Sequence, residues 1–164
     1  MEDKGFFERK CMNILIIDDK TTEISKAVAA VEAKGWHAFP FNPTEYGNGG
    51  PDTWVEMVEQ VDGILTDLFW VPRFARGKNA PSGLLVVIHA LLHKKHVVVC
   101  TSACDEDKQW HHHGEAVGWL YDGYLRCVKG EKPFGWIESK DWEAACQALE
   151  KRIGASESEQ STRR

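Results

Sequence analysis

Three short apolar runs set the limits on what this chain can become. They are Ile14-Leu-Ile-Ile17, the Ile64-Leu65 pair within Val61–Trp70, and Val97-Val-Val-Cys100. Each is bounded by turn-forming or polar residues. Runs of this length, apolar at consecutive positions, read as strands covered on both faces. The stretches between them have helical spacing instead. Ile24, Val28 and Val31 recur at i, i+4, i+7 after a possible cap at Thr21 or Thr22, and Gly35 stops that helix. Strand and helix therefore take turns along the chain, which demands a mostly parallel sheet with helices on its faces.

The same reading extends to the rest of the chain. Met12 to Ile17 is the first strand, and Trp36 to Phe41 alternates apolar and polar residues as a second. Asp52 is placed to cap a helix carrying Trp54, Val58 and Val61 on one face. Ser82 is placed to cap Gly83 to Lys94, with Leu84, Ile88 and Leu91 inward. A further helix fits 114–121, Tyr124 to Val128 reads as the fifth strand, and Gly130 to Gly135 as a loop. Ser139 is placed to cap a last helix striped by Trp142, Cys146, Leu149 and Ile153. The expected architecture is α/β: five β–α units, with right-handed crossovers restricting the topology. The domain spans 12–154, between an N-terminal extension (1–11) and a Ser/Glu/Arg-rich tail (155–164) expected to be disordered.

In open sheets of this kind, ligands bind outside the carboxyl ends of the strands, where strand order reverses. Asp18, Asp19, Asp67 and Thr101 all fall at such ends. If the strands ending in Asp18-Asp19 and in Asp67 are parallel neighbours, three carboxylates meet at one edge. They repel unless a cation or a proton lies between them. A hard divalent cation held by oxygen is the natural solution. The plainer alternative is that Asp18 and Asp19 cap the first helix and Asp67 caps a turn.

Composition bounds the function. At 164 residues, 43% hydrophobic and 27% charged, the chain suits one globular domain with a real core. A net charge of −5 offers no footprint for nucleic acid. No apolar run approaches a bilayer's thickness and no signal peptide opens the sequence, so no membrane partner is expected. Five cysteines at irregular spacing suit free thiols in a reducing compartment, and a cytoplasmic location is expected.

Taken together, Ile14-Leu-Ile-Ile-Asp-Asp-Lys20, Ile64-Leu-Thr-Asp67, Pro81-Ser-Gly83-Leu84 and Val97-Val-Val-Cys-Thr101-Ser-Ala103 resemble a response-regulator receiver domain. Tyr124-Leu125 and Lys132-Pro-Phe134 add support. The resemblance covers about residues 12–153. It implies a doubly wound, flavodoxin-like (βα)5 sheet in strand order 2-1-3-4-5, and a module of two-component phosphorelay signalling. It implies Asp67 as phosphoacceptor, with Mg²⁺ held by Asp18, Asp19, Asp67 and the backbone carbonyl of Phe69. Thr101 takes the role of the hydroxyl that turns toward the phosphoryl group, and Tyr124 that of the switch aromatic on strand five. Lys132 takes the role of the phosphoryl-binding lysine, at the cost of an insertion; Lys129 is the other candidate. The implied partners are a histidine kinase or phosphotransfer protein and a downstream protein reached by contact, since the tail is too short for a DNA-binding domain. At most the chain catalyses its own phosphoryl transfer and dephosphorylation.

Two departures stand out. The loop over 71–82 is longer than usual for such domains and basic, with Arg73, Arg76 and Lys78. No lysine follows Tyr124 at the expected spacing. The rival classes are therefore a receiver-like binding module without phosphate chemistry, and a metal-dependent phosphohydrolase. The second lacks the usual second acid, because position 69 is Phe. His111-His112-His113 point in different directions and cannot all ligate one ion. His89 and His93 have i, i+4 spacing but no third ligand in sequence, and read as exposed surface.

Overall fold

The computed structural model describes residues 11–45, 53–68, 70, 82–102, 133–137 and 139–162. In chain order these form β1 (Asn13–Ile17), α1 (Thr21–Ala33), β2 (His37–Phe41), α2 (Thr53–Gln60) and β3 (Gly63–Thr66). They continue with α3 (Gly83–Leu92), β4 (His96–Cys100), β5 (Gly135–Ile137) and α4 (Trp142–Thr162). The five strands form one sheet in the order β2-β1-β3-β4-β5, and every neighbouring pair is parallel.

Burial explains the strand pattern. Ile14 to Ile17 are all fully buried, and so are Ile64, Leu65 and Val97 to Cys100. Alternate side chains enter opposite cores. Leu15, Ile17, Ile64, Val97 and Val99 pack with Trp54, Val58 and Val86 from α2 and α3. Ile14, Ile16, Leu65, Val98 and Cys100 pack with Ala27 and Val31 of α1 and with Ala145, Cys146 and Leu149 of α4. β2 is an edge strand, which is why it tolerates Pro40 opposite Ile16 and leaves Phe39 exposed. Gly35 takes a left-handed φ of 75° just past α1, and its N–H donates to Glu32 O at 2.8 Å.

Four expectations need correcting. The strand beside β4 is Gly135–Ile137 rather than Tyr124–Val128, paired through Val98–Gly135, Val99–Trp136 and Cys100–Ile137. A Cβ at Gly135 would lie 2.7 Å from Val98 Cγ2, so a glycine that reads as loop is here a requirement of strand packing. α3 does not point Ile88 and Leu91 inward: these are 56% and 40% exposed, while Val86, Val87 and Ala90 are buried. Ser139 does not cap the last helix; Asp141 does, its Oδ1 accepting the Ala144 N–H at 2.9 Å. Finally, α4 continues through Ala155 to Thr162, which the sequence suggests as a disordered tail. Ser156 Oγ there bonds Ile153 O and sits 2.9 Å from His96 Nε2, tying the extension to the start of β4. The expected helix over 114–121, Tyr124, Lys129, Lys132, Phe69, the basic loop and His111–His113 lie outside the described residues.

Candidate functional site

The site grows from the register of β1 on β3. Ile17 pairs with Thr66, so the residues that follow, Asp18 and Asp67, leave the sheet side by side. The Asp67 N–H donates to Ile17 O at 2.8 Å, which locks that alignment. Carboxylate oxygens of Asp18, Asp19 and Asp67 lie within 4.8 Å of one another. Asp18 is fully buried, Asp67 is 6% exposed and Asp19 is half-buried.

Both buried carboxylates are held in place. Asp18 Oδ1 accepts the Lys20 N–H at 2.8 Å, and Asp67 Oδ1 accepts the Leu68 N–H at 2.7 Å. A positive charge answers them from a position the sequence alone does not single out. Lys140, between β5 and α4, places Nζ 2.5 Å from Asp18 Oδ2 and 3.1 Å from Asp67 Oδ1. Its side chain is only 13% exposed and also lies over the Trp142 ring, 5.2 Å from the centroid. Trp142 donates its Nε1–H to Glu23 Oε2 at 2.9 Å, fastening the start of α4 to α1. The signal for Lys140 is a lysine three residues past a strand and immediately before a helix cap; placing the fifth strand at Tyr124–Val128 hides it.

Electrostatics follow burial. Desolvation pushes Asp67 up to about 6, against the attraction of Lys140 and with the repulsion of Asp18. Desolvation and then the Asp18 charge also raise Asp19. Lys140 is raised: burial disfavours its charge, but Asp67 and Asp18 outweigh that. Among the described residues, Cys11, Cys100 and Cys146 are free thiols. Burial pushes Cys100, whose Sγ lies 3.1 Å from Ser139 O, up to about 12, so it is no nucleophile.

Two backbone features fix Asp67. Thr66 Oγ1 donates to Asp67 O at 2.8 Å, and the first residue of α3 presses on the same carbonyl. A Cβ at Gly83 would lie 2.1 Å from Asp67 O, and the Gly83 N–H donates to Leu68 O at 2.9 Å. Thr101 stands just past β4, 1% exposed, with its N–H donated to Ile137 O at 3.0 Å. Beside the acidic cluster an open groove of about 700 Å³ runs between α1 and the start of α4. Ala29, Ala30 and Ala33 form its floor, and Lys26, Lys140 and Glu143 line it. Among the described residues, no helix is long and apolar enough to cross a membrane.

The sheet order and the acid-lined edge define a class: α/β domains with the fold of response-regulator receivers. Solved structures agree. The chain is similar to the signal receiver domain of a modulated diguanylate cyclase from Desulfovibrio desulfuricans G20, with a TM-score of 0.57 and 14% identity, covering 91% of this chain and 98% of that one. It is also similar to a structure described as a transiently phosphorylated "switch" in bacterial signal transduction, with a TM-score of 0.53 and 16% identity over 88% and 95% of the two chains. No family model and no curated protein matches the sequence. At these identities the likeness establishes the fold.

Proposed function

We propose that the chain is a receiver module that accepts a phosphoryl group on Asp67 and signals through protein contacts. The observation that carries this reading is the convergence of three carboxylates at the carboxyl edge of the sheet, the two buried ones sharing one lysine. Burying such charges is costly without a task for them. The donor set, carboxylate oxygens only, fits a hard cation, and Asp18, Asp19 and Asp67 are the residues that would hold Mg²⁺. When bound, the ion supplies charge neutralisation on the phosphoryl oxygens.

The chain's own residues do the rest. An Asp67 oxygen attacks phosphorus; the bond from phosphorus to the donor's nitrogen or oxygen breaks, and the leaving group departs with its electron pair. The acyl phosphate adds about two negative charges at one point. Lys140 shifts its ammonium from the two carboxylates toward the new oxygens. In this reading the lysine role falls to Lys140, which already pairs with Asp18 and Asp67; Lys132 and Lys129 lie outside the described residues. Thr101 offers a hydroxyl beside the same edge. A donor such as a histidine kinase or phosphotransfer protein approaches at this edge, and the open groove beside Lys140 gives it a surface. Chemistry stops at self-catalysed transfer and hydrolysis.

Mass spectrometry after incubation with acetyl phosphate and Mg²⁺ tests this. The wild type is expected to gain one phosphoryl group and Asp67→Asn none. Equal labelling of both, or labelling of neither, defeats the phosphorelay reading. The second reading, a receiver-like binding module without phosphate chemistry, draws on the pairing of Lys140 with both Asp18 and Asp67. Beryllofluoride separates the two: Mg²⁺-dependent NMR shifts at Asp67 and Thr101 favour the switch, and unmoved resonances favour the binding module.

A further inference from the structure

Away from the acidic edge, the C-terminal ends of α2 and α3 bring together Glu59, His89 and His93. The sequence alone supplies the two histidines at helical spacing; the fold supplies the acid. His93 Nε2 lies 3.6 Å from Glu59 Oε1. That is too long for a hydrogen bond. It is close to the roughly 3.3–3.5 Å that separates two ligands on one tetrahedral ion with bonds of about 2.0–2.2 Å. The His89 and His93 rings are 4.5 Å apart at their centroids. His89 is not the plain surface residue its spacing suggests. Its Nε2 is buried and has no hydrogen-bond partner, one of two such side-chain atoms among the described residues. The other is Trp70 Nε1, a donor only and useless to a cation. Imidazole nitrogen is a good donor to borderline divalent cations. An orphaned buried nitrogen calls for a ligand.

The surroundings favour a cation. His93 is the C-terminal cap of α3, and Glu59 lies in the last turn of α2, so the negative ends of two helix dipoles meet here. Lys95 already answers one of them, donating from Nζ to Glu59 O at 3.0 Å and Val61 O at 2.9 Å. It thereby uses the backbone carbonyls rather than the Glu59 carboxylate. The Trp54 ring, 5.8 Å from His89 in an edge-on arrangement, closes the inner side.

From this arrangement we infer that His89 Nε2, His93 Nε2 and the Glu59 carboxylate form a binding site for a divalent transition cation of the zinc class, with water as the remaining ligand. Among the described residues only the acidic trio already has its donor atoms within 4.8 Å of one another. Uptake here therefore requires the more exposed His93 and Glu59 side chains, at 35% and 63%, to close on His89. The set is two imidazoles and a carboxylate, which distinguishes it from the all-oxygen cluster that suits Mg²⁺. The site does not depend on the phosphorelay reading, and the ion would cross-link α2 to α3.

Isothermal titration of Zn²⁺ tests the site, with His111, His112 and His113 replaced by Asn to remove a competing chelator. Loss of one bound equivalent, or at least a tenfold weaker affinity, is expected in His93→Ala. Because His93 is a partly exposed helix cap, circular dichroism is expected to show an unchanged fold. Glu59→Gln is expected to weaken binding by less, and Asp67→Asn to leave this equivalent in place. Zinc uptake that survives His93→Ala overturns the inference, as does a parent protein that takes up no zinc. Loss in Asp67→Asn with retention in His93→Ala places the ion in the acidic cluster and overturns it too.

Discussion

Replacing Gly83 with alanine probes how tightly the putting together of α3 and β3 fixes Asp67. The added Cβ meets Asp67 O at 2.1 Å, Leu68 Cα at 2.9 Å and Asp67 C at 3.1 Å. All three are backbone atoms, so no side chain can swing away to make room. An ordinary carbon–oxygen contact is about 3.3 Å, so the start of α3 and the end of β3 must separate by roughly 1 Å. Overpacking of this kind costs about 1–3 kcal/mol. The bond from the Gly83 N–H to Leu68 O at 2.9 Å stretches with the separation, adding about 1 kcal/mol. The expected loss is about 2–4 kcal/mol, read by urea denaturation. Mg²⁺ affinity is expected to fall as well, since Asp67 moves away from Asp18. Gly154→Ala is the control: nothing lies within 4 Å of its Cβ, and removing a helical glycine stabilises by about 0.5–1 kcal/mol. A Gly83→Ala protein within about 0.5 kcal/mol of the wild type, with Mg²⁺ binding intact, refutes the claim that this close approach positions Asp67.

Other perturbations bear on the charges. Asp67 is pushed up to about 6 in the fold from an ordinary 3.8, so the native state holds its proton more tightly. Its contribution to stability is complete below the unfolded pKa and is lost as pH rises through about 6. In the absence of divalent cations, Asp67→Asn is therefore expected to be more stable than the wild type at neutral pH by up to about 3 kcal/mol, with the gap closing toward pH 4; urea titrations at both pH values check it. Lys140→Met leaves Asp18 and Asp67 without their shared cation, and is expected to cost about 3–5 kcal/mol at neutral pH and less in acid, where Asp67 can be protonated. Mg²⁺ is expected to raise the wild-type Tm, by about 2.7 kcal/mol of stability at a hundredfold excess over Kd, and to leave Asp67→Asn unmoved in a thermal scan.

What could be read from the sequence depended on whether a residue's burial left a one-sided or an all-round signature. β1, β3 and β4 are covered on both faces, so they appear as unbroken apolar runs. Because parallel neighbours keep register, Ile17 opposite Thr66 carries Asp18 to Asp67 without further information. The convergence of carboxylates was thus legible from strand ends alone. α3 is different. Its sequence, Gly-Leu-Leu-Val-Val-Ile-His-Ala-Leu-Leu, is apolar on every side, so periodicity cannot choose between Val86–Val87–Ala90 and Ile88–Leu91 as the inner face. β5 has three residues and begins with a glycine whose smallness is forced by Val98, a contact no local pattern records. Placing that strand at Tyr124–Val128 draws attention to Lys129 and Lys132 and away from Lys140, which follows the observed strand. A buried acidic pair needs a cation from somewhere, and the demand was visible in Asp18 and Asp67 even when its supplier was not. That demand is met by a lysine that follows a strand and precedes a helix cap, as Lys140 does ahead of the Asp141 cap.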